Sequence, residues 1–168
     1  MYVIETDRLR LRQLTPTDAS FILELVNDPD WLRFIGDRNV RTLDDAREYI
    51  LRGPVDMYAR LGFGLYLVEM RDPVVSVGIC GLIKRDSLES VDLGFAFLPQ
   101  FRGRGYALEA AAATMEFGRQ HLLLRQIVAI TDPENRSSIR LLQRLGMSFQ
   151  GSIVLPHQPE EVALFALR

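Results

Sequence analysis

The chain has 168 residues, 48% hydrophobic and 25% charged, with a formal net charge of −2. That is enough apolar material for one domain over residues 1–168 with a real core, and the near-neutral balance gives no basis for nucleic-acid binding, which rewards clustered cations. No run reaches the about 20 apolar residues of a membrane span, residues 1–12 lack an apolar signal core, and the lone Cys80 cannot form an internal disulfide, so a cytoplasmic protein without membrane contact is expected.

Residues 8–14 alternate Leu with Arg or Gln, the period-two signature of a strand with one wet face. Thr15-Pro16-Thr17-Asp18 then has the makings of a helix start: a capping hydroxyl, a proline in the first turn and an acid at the positive end. That helix carries Phe21, Ile22, Leu25 and Val26 and stops at Asn27-Asp28-Pro29, followed by a looser stretch holding Trp31, Phe34 and Ile35. A second helix opens at Thr42, with Asp44 and Asp45 in its first turn, and ends by Gly53-Pro54. Residues 64–70, 74–84 and 91–98 are apolar, β-branched or aromatic runs between short turns, and they predict three sequential antiparallel strands. An alanine-rich helix over 105–120, a strand over 125–131 and a helix over 135–145 come next. Two short strands, 147–152 and 162–167, close the chain. The class is α+β, with a mixed and mostly antiparallel sheet.

The most informative segment is Gln100-Phe101-Arg102-Gly103-Arg104-Gly105-Tyr106-Ala107, where a strand gives way to a helix. A helix start leaves about four N–H groups unpartnered and carries roughly half a positive charge. Glycines there let a ligand approach without a Cβ in the way. The product is an anion cradle suited to phosphate or pyrophosphate. A P-loop needs Lys and then Ser or Thr after its second glycine, where Tyr106 and Ala107 stand. A dinucleotide fingerprint needs Gly or Ala three positions after Gly105, where Leu108 stands. The pattern that fits is Gln/Arg-x-x-Gly-x-Gly/Ala, the acyl-CoA signature of the GNAT N-acetyltransferases.

Two further segments are similar to the same superfamily. Ile4-Glu5-Thr6-Asp7-Arg8-Leu9-Arg10-Leu11-Arg12 resembles the opening of its ribosomal-protein alanine N-acetyltransferase (RimJ/RimL-like) branch. Asp132-Pro133-Glu134-Asn135-Arg136-Ser137-Ser138-Ile139-Arg140-Leu141-Leu142, with Leu145-Gly146-Met147, resembles that branch's Asn-x-x-Ser segment. The resemblance covers almost the full chain. It implies the GNAT fold, a twisted mixed sheet of about six to seven strands flanked by about four helices. It implies an acyltransferase that moves an acetyl group from acetyl-CoA to a primary amine, either a protein N-terminal α-amine or a small molecule, by direct attack in a ternary complex. Backbone amides of Phe101, Arg102, Gly103, Arg104, Gly105, Tyr106 and Ala107 would hold the pyrophosphate. Phe97 and Leu98 would pair with the pantetheine arm, in a notch where strand 91–98 splays from strand 125–131, and the Asn135 side chain would reach the arm's amides. Asn135 also reads as a helix cap, and the two roles are compatible. Arg102 and Arg104 read equally as steering groups for phosphate and as solvated surface, whereas Phe101 and Tyr106 suit anchoring the turn in the core.

The chemistry needs a neutral amine, a polarised carbonyl and a protonated leaving thiolate. An α-amine near pKa 7.7–8.0 costs about 1–1.4 kcal/mol to deprotonate at pH 7, against about 4.6 for a lysine-like amine. A modest base therefore suffices for an α-amine, and Asp92 is the best candidate, flanked by Val91, Leu93, Phe95 and Phe97, with Glu89 a weaker one. An edge acid facing water is the competing reading of Asp92. Where the superfamily often places a tyrosine to protonate the thiolate, this chain has Leu142, which leaves the Ser138 hydroxyl or water. A strand N–H of Phe95 or Phe97 is suited to polarising the carbonyl. No His, Cys and carboxylate cluster has metal-ligand spacing. Loops 27–41 and 156–161 are expected to shape the acceptor pocket, the second carrying His157. Asp28, Asp30, Glu160 and Glu161 suit a cationic acceptor or a solvated surface. An acyl-CoA-binding module without turnover, motivated by Leu142, and a nucleotide-binding protein stand as alternatives; a homodimer is compatible with either.

Overall fold

Period-two alternation puts successive strand residues on opposite faces of a sheet, and in the central strands here both faces are apolar. The structure, a computed structural model, describes residues 1–167. Its eight strands are β1 (Tyr2–Glu5), β2 (Leu9–Gln13), β3 (Leu65–Arg71), β4 (Val74–Ile83), β5 (Val91–Phe97), β6 (Ile127–Thr131), β7 (Met147–Val154) and β8 (Glu161–Leu167). They form one sheet in the order β1-β2-β3-β4-β5-β6-β8-β7. Neighbours are antiparallel except β5 and β6, which run parallel. Six α-helical segments flank it: α1 (Ala19–Val26), α2 (Pro29–Phe34), α3 (Leu43–Ile50), α4 (Asp56–Leu61), α5 (Tyr106–Gln120) and α6 (Arg136–Arg144).

Tyr66 and Val68 of β3 join one core with Tyr106, Ala110, Ala111 and Met115 of α5 and Leu142 of α6. Leu67, between them in sequence, joins a second core with Ile22, Leu25 and Val26 of α1 and Ala46 and Ile50 of α3. Each such aliphatic or aromatic side chain contributes about 1.5–3 kcal/mol by leaving water. Alanine at positions 110 and 111 keeps α5 close to the sheet. Gly81 serves a similar purpose within it, since a Cβ there would lie 2.1 Å from the Gly64 carbonyl oxygen. No helix among the described residues is long and apolar enough to cross a membrane.

Three elements differ from the expectations above. The sheet has an eighth strand because β1, a short segment with only Ile4 buried, pairs with β2 through an irregular register. The stretch around Trp31 is helical: Asp28 caps α2 by accepting from the Trp31 N–H, and Pro29 starts it. The helix after Thr42 does not stop at Pro54. A π-helical turn over Leu51–Val55 absorbs that proline, and the helix runs on to Leu61.

Candidate active site

The parallel pairing of β5 and β6 lasts for two rungs, Val91 with Ile127 and Asp92 with Val128. Beyond Asp92 the strands part, and the sheet becomes a fork. The Leu98 N–H donates to the Val77 carbonyl across β4 at 3.0 Å. Antiparallel alternation therefore turns the N–H and C=O of Phe97 and Phe95 to the other edge, into the fork. Leu98 cannot serve as a backbone partner in the fork: its N–H is spent on Val77 and its carbonyl accepts from the Phe101 N–H at 3.0 Å.

A 3₁₀ turn over Pro99–Phe101 carries the chain from β5 into the glycine segment. The Phe101 and Arg102 amides donate back to the Leu98 and Pro99 carbonyls, so neither belongs to the free cradle, contrary to the expectation that placed both in it. The first bonded amide of α5 is that of Glu109, which donates to the Gly105 carbonyl. Gly103, Arg104, Gly105, Tyr106, Ala107 and Leu108 are thus left with amides that have no backbone partner among the described residues. Leu108 is an addition to the expected set. Gly103 and Gly105 hold φ of +75° and +82°, conformations that L side chains rarely adopt, and a Cβ at Gly103 would meet nothing within 4 Å. The cradle opens where a ligand would sit.

The cradle is braced from the turn between β1 and β2. The Arg8 Nη1 donates to the Arg104 carbonyl at 2.9 Å, and its Nε donates to Glu109 Oε2 at 2.6 Å. The guanidinium lies over the Tyr106 ring, 4.6 Å from the centroid. Glu109 Oε1 accepts from the Thr6 hydroxyl at 2.6 Å and the Arg8 N–H at 3.0 Å. Thr6, Arg8 and Glu109 were not expected as site residues. The resemblance of residues 4–12 was the signal that could have found them, but spacing alone does not say what Arg8 holds.

Arg102 does not face phosphate. Its Nε donates to the Phe97 carbonyl at 2.9 Å, and its Nη atoms pair with Asp28 at 2.7 Å and Asp30 at 2.5 Å. It ties the base of the cradle to α2 and occupies one fork-facing carbonyl of β5, leaving the Phe97 N–H. Tyr106 is buried in the core below Arg8, and Phe101 packs partly buried between both cores, so each anchors the turn. The Arg104 side chain is exposed.

Asp92 stands at the crotch of the fork, 1% exposed. Its Oδ2 accepts from Arg85 Nε at 2.8 Å, while Oδ1 is buried without a hydrogen-bond partner among the described residues. Burial pushes its pKa up, and Arg85 opposes that rise through charge and hydrogen bond without cancelling it. It is not an acid facing water. Glu89 lies outside β5 in the preceding bend. Across the fork, the Asn135 side-chain oxygen caps α6 by accepting from the Ser138 N–H at 3.2 Å. This leaves the Asn135 amide nitrogen and the Ser138 hydroxyl without partners among the described residues, both in the groove wall. Leu142 is fully buried in the core and does not line the groove.

The groove encloses about 640 Å³ and runs from the cradle through the fork to α2 and the residues after it. Of the two expected acceptor loops, the first contributes Asp28, Asp30, Trp31, Phe34, Ile35 and Arg38. The second contributes none, and His157 is exposed on the turn between β7 and β8. Tyr58 is structural: its hydroxyl accepts from the Leu14 N–H at 3.1 Å and donates to the Leu65 carbonyl.

The sequence profile of the acetyltransferase (GNAT) domain matches residues 8–148. The chain belongs to the GNAT acetyltransferase family. This GNAT protein is similar to the uncharacterized N-acetyltransferase YnaD of Bacillus subtilis, 28% identical over 148 residues that span 88% of this chain and 84% of YnaD. Its fold is also that of a GNAT-family acetyltransferase from Bacillus anthracis, with TM-score 0.81 and 26% identity over 99% of this chain and 98% of the other. The ribosomal-protein-S5-alanine acetyltransferase of Vibrio fischeri shares the fold, with TM-score 0.79 at 18% identity, covering 96% of this chain and 93% of that one. The GNAT protein is therefore an acyltransferase enzyme, and the expected fold class holds.

Proposed function

We propose that this enzyme transfers the acetyl group of acetyl-CoA to a primary amine, in the cytoplasm, by direct attack within a ternary complex. The observation that carries the reading is the fork itself: one arm ends in consecutive free amides, and Asp92 offers an unpartnered buried oxygen at its crotch. The residues fit the cosubstrate, because the space a Cβ at Gly103 would fill is open and faced by unbonded N–H groups. The amides of Gly103 to Leu108 would hold the diphosphate, and the Phe97 N–H and the Asn135 amide nitrogen would align the pantetheine arm. When bound, acetyl-CoA supplies an acetyl group activated as a thioester.

The chain's own residues do the rest. Asp92 Oδ1 accepts the proton of the incoming ammonium, and its raised pKa makes it a better base than a solvated carboxylate. Arg85 holds the other oxygen and fixes the carboxylate's orientation. The Phe95 N–H is directed into the fork, where an oxyanion donor is needed. Ser138 holds a proton at Oγ on the opposite wall, the natural donor to a departing sulfur. Leu142 gives the binding-module alternative no support, because that position lies in the core rather than on the groove. Thiol release from acetyl-CoA with and without a panel of primary amines is the test. Amine-dependent release is expected; tight CoA binding without it would leave a module, and no heat on CoA titration would defeat both readings.

A further inference from the structure

We propose that the amine accepted by this enzyme carries a carboxylate, received by Arg38 and Trp31 while Asp92 receives the amine. The inference rests on the acetyltransferase reading and adds to it the chemical class of the acceptor. It starts from where the charges in the groove are spent. Asp28 and Asp30, which in sequence suit a cationic acceptor, are both taken by Arg102, at 2.7 and 2.5 Å. Asp92 Oδ2 is taken by Arg85. In the adjoining hollow Glu48 pairs with Arg52 at 2.6 Å, and Asp45 accepts from the Arg41 and Thr42 N–H groups at 2.9 and 3.0 Å. Of the groove carboxylates, Asp132 stands outside these ion pairs among the described residues, with Oδ1 accepting from the Glu134 N–H at 2.8 Å, so a polyamine, with several cations to satisfy, finds little uncommitted negative charge.

Arg38 is the reverse case. It lines both the main groove and the adjoining hollow, and its guanidinium has no partner among the described residues. Tyr49, shared by the same two walls, reports its reach: burial pushes the phenol pKa up, and Arg38 and then Arg85 act against that rise. Two guanidiniums therefore act on one point of the acceptor side.

Among the described residues, the buried side-chain polar atoms without a partner are Trp31 Nε1 and Asp92 Oδ1, and both residues line the groove. The indole can only donate and the carboxylate oxygen can only accept. Buried polar groups in folded proteins are nearly always satisfied, so such a pair among the residues of one groove points to a ligand that brings the complement of each. A carboxylate for Arg38 and the indole, with an ammonium for Asp92, is that complement. A free amino acid and a peptide whose N-terminal residues are acidic share this chemistry.

The experiment measures kcat/KM with saturating acetyl-CoA for matched acceptors: alanine against alaninamide, a Ser-Glu-Ala peptide amide against the Ser-Gln-Ala peptide amide, and spermidine. The acidic member of at least one pair should be preferred about tenfold to a hundredfold, the worth of a charge-assisted contact. Whichever pair responds identifies the source. Arg38→Gln should abolish that preference and Arg38→Lys should partly restore it, with the KM for acetyl-CoA unchanged in both. Trp31 is the sole tryptophan, so its emission gives a second readout that needs no turnover: an acidic acceptor should change it in the presence of CoA and its amide should not. Equal rates for acid and amide, preference for spermidine, or emission blind to both members of each pair would overturn the inference. If amines are acetylated without regard to carboxylate, this inference alone falls; if CoA does not bind, the acetyltransferase reading falls first.

Discussion

Gly103 and Gly62 form a matched pair that separates backbone strain from ligand exclusion. Their φ values are +75° and +78°, and an added Cβ at either meets nothing within 4 Å. Alanine at each should therefore cost the same left-handed penalty, about 1–2 kcal/mol. For a chain of this length that lowers the thermal midpoint by about 2–8 °C. Gly62 ends α4 far from the cradle, whereas the open space beside Gly103 is where the diphosphate would lie. Gly103→Ala should lose or bend at least one amide–phosphate contact, worth about 1.5–3 kcal/mol for a charged partner. That weakens CoA binding by about tenfold to a hundredfold. Differential scanning calorimetry and CoA titration on the wild type and both variants make the comparison. If Gly103→Ala binds CoA within about twofold of Gly62→Ala at equal thermal loss, the cradle does not hold the diphosphate.

Asp92→Asn should lower turnover by about a hundredfold or more while leaving CoA affinity intact. Because burial raises the Asp92 pKa above its ordinary 3.8, the carboxylate form needed as base appears only at higher pH. The acid limb of the wild-type kcat/KM profile should therefore sit above that value and vanish in the variant; a wild-type limb in Asp92→Asn would retire it as base. Ser138→Ala should reduce kcat about a hundredfold. Its stability should stay within about 0.5 kcal/mol, because the α6 cap uses the Ser138 N–H and not its hydroxyl. Arg8→Met should cost about 1–2 kcal/mol in urea denaturation, the sum of a half-exposed ion pair, a carbonyl contact and a cation–π contact. It should also weaken CoA binding, since Arg8 holds the Arg104 carbonyl.

Features with strong local causes were legible in the sequence. Gly103 and Gly105 mark the cradle because left-handed backbone leaves a compositional trace, and the runs at β3, β4 and β5 show because both faces are apolar. Asp92 could be placed beside the fork because β5 leads directly to the glycines. Relations between distant residues were not legible. That Arg102 reaches Asp28 and Asp30, some seventy positions earlier, is set by how α2 docks on the cradle. That docking commits both aspartates to one arginine, which their sequence positions do not show. The continuation of the helix through Pro54 was missed for a related reason: a proline ordinarily stops a helix, and only the π-turn shows how this one is carried.

The fork also divides the enzyme's freedom to change. On the proposed reading, the donor side is recognised by main-chain amides, which every residue type but proline supplies once two glycines set the path. The acceptor side, on the same reading, is recognised by side chains, several of them from one short helix and the residues after it. If Trp31 and Arg38 receive the acceptor as proposed, substitutions there would re-aim the enzyme at a new amine without disturbing the grip on its cosubstrate. A lineage built this way can diversify its clientele while its fuel stays fixed.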